Sequence, residues 1–104
     1  MKEQVIAEIV VVPIGTESTE VSKYVARCLD VVKEAKGVTY VLTAMSTIVQ
    51  GPLSRVLEVY ERMHEVPFGM GGKRVLSTLK IDDRRDKLAT IEGKVKSVSE
   101  KGSV

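Results

Sequence analysis

At 104 residues the chain has material for one hydrophobic core and too little for a second. Hydrophobic residues at 43% and charged residues at 29% are ordinary for a globular domain, and no apolar run approaches the roughly 20 residues that span a bilayer, so no membrane partner is expected. The 16 basic and 14 acidic residues, net +2, are interspersed; no basic block can neutralise a row of phosphates, and nucleic acid is not an expected partner.

The opening MKEQVIAEIV puts an acidic residue and polar breaks where a signal peptide needs an unbroken apolar stretch, so secretion is not expected. Cys28 has no second cysteine to pair with, and one cysteine with one histidine cannot build a tetrahedral zinc site from a single chain. The cytoplasm is the expected location, with no metal and no cofactor. Asparagine and tryptophan are absent and glutamine is limited to Gln4 and Gln50, a depletion of thermolabile amides in keeping with a thermophilic source.

Gln4 to Val12 is rich in Val and Ile, which suit a pleated sheet, and reads as a strand stopped by Pro13 and Gly15. Thr16, Glu17, Ser18 and Thr19 follow as a turn whose hydroxyls can cap a helix. Val21, Tyr24, Val25, Cys28, Leu29, Val32 and Ala35 then recur at spacings of three and four, predicting a helix that ends at Lys36-Gly37. Tyr40 to Met45 and Ser46 to Gln50 predict two strands or one bent ribbon, since no strong turn pair separates them. After Gly51-Pro52 a second helix carries Val56, Leu57, Tyr60 and Met63 on one face and is expected to end before Pro67. Phe68 to Gly72 is a connector, Arg74 to Ile81 a strand broken by Asp82-Asp83, and Leu88, Ile91, Val95 and Val98 mark a third helix.

Two strand-helix-strand units in this order predict an α+β, ferredoxin-like β-α-β-β-α-β sandwich: a four-stranded antiparallel sheet, two helices on one face and an extra C-terminal helix, in one domain spanning 1–104. The far face of that sheet would then carry an apolar first strand, because Val5, Ile6, Ile9, Val10, Val11 and Val12 populate both of its sides. A homo-oligomer, dimer or tetramer, would bury it.

Catalytic sets are scarce. His64 lies late in a helix, where positive charge is mildly favourable, and Cys28 sits within the apolar stripe as a structural thiol. The GMGG run lacks both the GK[ST] ending and the GxGxxG spacing of a phosphate loop. Asp82, Asp83 and Asp86 alternate with Arg84 and Arg85, which would repel a cation. What remains is a concentration of hydroxyls at strand ends: Thr16, Ser18 and Thr19 after the first strand, and Thr43, Ser46 and Thr47 in the ribbon. Converging near Glu17 and Met45, they could read a polar heterocycle against an apolar wall; the alternative is that they only cap a helix and line a turn.

Three segments, VVVPIGTES, TAMSTIVQG and RVLSTLKIDDRRDK, together resemble the small YkoF-like thiamine-binding proteins, a family long known only as conserved proteins of unknown function. The resemblance covers nearly the whole chain. It implies the ferredoxin-like fold, subunits joined by their sheets into dimers and commonly tetramers, and binding of thiamine or its hydroxymethylpyrimidine part with no established catalysis. Carried over segment by segment, it assigns Gly15, Thr16 and Glu17 in the proline-glycine-threonine turn and Thr43, Met45, Ser46 and Thr47 in the ribbon to the ligand. Glu17 would offset the thiazolium charge, the hydroxyls would read the pyrimidine, and Met45 would give a polarisable surface. The alternative function is an oligomeric structural or regulatory protein without a small-molecule ligand.

Overall fold

The structure is a computed structural model of the chain and describes residues 4–16 and 19–101. The chain runs β1 (Val5–Pro13), α1 (Ser22–Glu34), β2 (Thr39–Leu42), β3 (Thr47–Gly51), α2 (Leu53–Gly69), β4 (Val75–Asp82) and α3 (Ile91–Lys101). The four strands form one antiparallel sheet in the order β2-β3-β1-β4, the ferredoxin-like arrangement. β1 is central because its β-branched run gives it two apolar faces. One of them, Val5, Ala7 and Ile9, joins Val49 of β3 in the core beneath the helices.

α1 contributes Tyr24, Cys28 and Val32, one turn apart, and α2 contributes Val56, Val59 and Met63. The helices complete the core because each buries one stripe at helical spacing. Glycine is required where α2 is entered: a Cβ on buried Gly51 would stand 2.8 Å from the Gly37 carbonyl oxygen and 2.8 Å from Val38 Cγ1.

Three local expectations are corrected. The hydroxyls after β1 do not cap α1: Val21 stands at its N-cap without a side-chain bond, and the Ser22 N–H donates to the Glu20 carboxylate at 3.1 Å. Hydrogen bonds from Ser22, its side chain first and this backbone N–H second, hold the Glu20 carboxyl below its usual range. α2 runs through Pro67 to Gly69 and does not stop before it. A proline in the last turn costs one intrahelical bond, the one to the Met63 carbonyl, and buried packing of Pro67 outweighs it here. Leu88 precedes α3 and is half exposed at 50%, because the helix starts later. Thr90 caps it by accepting the Gly93 N–H at 2.9 Å, which explains the tolerated glycine.

α3 lies toward the face of the sheet that α1 and α2 leave open. The Gln50 side chain accepts its Ile91 N–H at 2.8 Å, and Lys94 pairs with Asp82 of β4. Leu76 (63% exposed), Val41 (45%) and Val12 (37%) remain open to solvent in a single copy.

Candidate functional site

The site arises from a mismatch in strand length. β1 pairs with β3 only from Val5 to Ile9, yet continues along β4 to Pro13. Val10 to Pro13 therefore has a neighbouring strand on one side alone. α1 roofs the notch, and the β2–β3 hairpin forms its far wall. The resulting cavity, about 320 Å³, is lined by Ile9 to Val12, by Val21 at the N-cap of α1 and by Val25 and Cys28 within it, by Leu42 to Thr47, and by Met63. Its lining is mostly apolar, and its volume falls within the range of small-molecule sites.

The hairpin wall is built without glycine. Thr43 donates its N–H to the Ser46 carbonyl at 2.9 Å, so Ala44 and Met45 make a two-residue loop. No residue there has a positive φ, unlike the primed turns usual in such hairpins. The Thr43 hydroxyl supplies the closure instead, accepting the Met45 and Ser46 N–H groups at 3.2 and 3.0 Å and lying 3.0 Å from the Ser46 carbonyl oxygen. Met45 stands 85% exposed at the tip, while Thr47 is buried.

The floor follows from Pro67. Proline has no N–H to give the Met63 carbonyl, and the Cys28 thiol donates to that oxygen at 3.6 Å across the α1–α2 seam. Burial pushes the Cys28 thiol up to about 11, so at neutral pH it is protonated and a poor nucleophile.

Four of the seven residues assigned from sequence, Thr43, Met45, Ser46 and Thr47, line this one cavity. Gly15 and Thr16 line a separate, more polar hollow of about 440 Å³ with Lys23, Tyr24 and Lys73; in one copy of the chain the two groups do not meet. Glu17 and Ser18 lie outside the described residues. A carboxylate that sequence reasoning passed over is Glu8, to which the Ser46 hydroxyl donates at 3.0 Å. Its signal was available, as the acidic residue interrupting an apolar strand. Ser77 was also missed: its Oγ sits 2.7 Å from His64 Nδ1 and 2.7 Å from the Tyr60 hydroxyl. The cluster ties α2 to β4 and lines none of the cavities described above. Arg85 Nη2 donates to Asp83 at 2.8 Å, Arg84 Nε and Nη2 donate to Asp86 at 2.6 and 2.8 Å, and these hydrogen bonds hold both carboxyls below their usual range.

Comparison with known proteins places this geometry. The family model described as thiamine-binding protein matches residues 7–99. The UPF0045 protein YqgV of Bacillus subtilis is 43% identical over 97 residues, covering 90% of this chain and 93% of that protein. The crystal structure of the hypothetical protein MJ1052 of Methanocaldococcus jannaschii is 36% identical and superposes with a TM-score of 0.86 over 93% of this chain and 97% of that one. The Thermotoga maritima protein TM0486 shares the fold at 23% identity, with a TM-score of 0.73 over 90% of this chain and 97% of that chain. A match over most of the chain, in sequence and in structure, shows that the chain belongs to the thiamine-binding protein family.

Proposed function

We propose that the protein binds thiamine, or its hydroxymethylpyrimidine precursor, and carries it in the cytoplasm without chemical change. The observation that carries the reading is the coincidence, in a chain of this family, of a ligand-sized apolar cavity with a hydroxyl-bearing wall. Thr43, Met45, Ser46 and Thr47 are the proposed contacts. Gly15, Thr16 and Glu17 are proposed to join them from a neighbouring copy in a dimer or tetramer. The exposed apolar residues of the open sheet face, Leu76, Val41 and Val12, support such an assembly. A non-catalytic role is supported by the thiol at the cavity, Cys28, being buried, engaged with the Met63 carbonyl and held protonated.

Isothermal titration with thiamine and with hydroxymethylpyrimidine tests the reading. Saturable binding of at least one is expected; no heat from either at millimolar ligand would overturn it. A second reading, an oligomeric structural or regulatory protein, is favoured by the engagement of the Thr43 and Ser46 hydroxyls within the hairpin itself. It predicts the same lack of heat together with an intact oligomer by light scattering.

A further inference from the structure

Successive residues of an antiparallel strand turn their N–H and C=O toward opposite neighbours. Ile14 donates its N–H to the Arg74 carbonyl at 2.8 Å, in the register that pairs Val12 with Leu76 and Val10 with Thr78. The even positions of β1 therefore bond β4, and the odd positions face the β3 side. Val5, Ala7 and Ile9 find Gly51, Val49 and Thr47 there. Val11 comes next and lies opposite the place where Met45 would continue β3. The chain has already turned away at that point, and the Met45 N–H is taken by the Thr43 hydroxyl. The N–H and C=O of Val11 are thus directed into the cavity that Val11 lines, with no β3 partner among the described residues.

The next odd position is Pro13, which has no N–H. A peptide strand extending the sheet along this edge would need that donor, so the edge resists strand addition. What it offers is one donor beside one acceptor on a single residue, at the wall of an apolar cavity. A flat heterocycle with a ring-nitrogen acceptor next to an amino donor fits that pair. The aminopyrimidine ring of thiamine and of hydroxymethylpyrimidine carries this pattern.

We propose that the main chain of Val11 reads the aminopyrimidine edge, its N–H donating to the ring nitrogen and its C=O accepting from the amino group. The proposal rests on the thiamine reading above and names the group that gives that site its specificity. It also accounts for a thiamine site built with few polar side chains, because strand backbone does the recognition that side chains would otherwise supply.

Amide hydrogen exchange on the full chain, free and with saturating thiamine, tests it, alongside titration with thiamine and with its 4-oxo analogue oxythiamine. The analogue presents its donor and acceptor in the reverse order while keeping the thiazolium ring. Exchange at Val11 is expected to be fast without ligand and to slow at least tenfold with thiamine, while Val10 and Val12, already in the β4 ladder, change little. Oxythiamine is expected to bind at least tenfold more weakly. Thiamine binding that leaves Val11 exchange unchanged would overturn the proposal and leave the binding reading intact. A Val11 amide already slow without ligand would overturn it too, since another segment would then hold that edge. No heat with either thiamine or hydroxymethylpyrimidine at millimolar ligand would overturn both.

Discussion

Replacing Thr43 with Val keeps the branched shape and strand propensity of the residue and deletes one hydroxyl. That oxygen accepts the Met45 N–H at 3.2 Å and the Ser46 N–H at 3.0 Å, and itself reaches the Ser46 carbonyl at 3.0 Å. Net hydrogen-bond contributions are about 0.5–1.5 kcal/mol each, but this turn is exposed and water replaces part of what is lost. The expected cost is therefore about 1 kcal/mol, well short of the sum of three bonds. For a domain of this size that lowers Tm by roughly 4–8 °C. Thermal unfolding followed by circular dichroism reads the shift, and Thr43→Ser, which restores the oxygen, should recover most of it. A Tm for Thr43→Val within about 1 °C of the wild type, or a serine variant no better than valine, would show that the loop closes on its backbone bond alone.

Gly51→Ala places a methyl group 2.8 Å from the Gly37 carbonyl, and backbone cannot yield as a flexible side chain can. A loss of about 1–3 kcal/mol in urea unfolding is expected; an unchanged midpoint would mean that the Gly37-Val38 turn moves freely. Cys28 gives the fold a dependence on alkaline pH. Its pKa is raised to about 11 from 9.0, so the folded state holds the proton more tightly than the unfolded chain does. The stability tied to the neutral thiol is present in full below pH 9 and is lost as pH rises through 9 toward 11. Between pH 8 and pH 10 the wild type should lose about 1 kcal/mol more than Cys28→Ala; parallel pH profiles for the two would refute the burial argument.

Periodicity revealed those elements whose partners lie within the same segment. Tyr24, Cys28 and Val32 repeat one turn apart and declared α1, and the β-branched run of β1 declared a strand with two apolar faces. Features set by distant residues stayed hidden. The hairpin carries no Asn-Gly or Asp-Gly because Thr43 closes it with a side chain, so Tyr40 to Gln50 read equally well as a bent ribbon. Pro67 signalled a helix end by local chemistry, whereas its tertiary packing and the Cys28 thiol at the Met63 carbonyl let α2 continue. The cavity itself depends on β3 ending opposite Ile9 while β4 accompanies β1 to Pro13. Register of that kind is a property of the paired strands and is written in neither alone. The resemblance pointed to the hydroxyl ribbon, and four of its residues share the cavity; the main chain of Val11 left no mark in side-chain chemistry.

The attachment of α3 has a consequence for the order in which the molecule comes apart. None of its residues is buried, and the Gln50 amide oxygen and the Lys94–Asp82 ion pair tie it to the sheet. Within one copy, lifting α3 opens no part of the core formed by Val5, Ile9, Val49 and Val56. The helix therefore forms a low-energy cooperative unit of its own, opening far more often than the sheet beneath it. Each opening lengthens the apolar strip of the exposed sheet face toward Ile6, and any contact made there would hold the helix away.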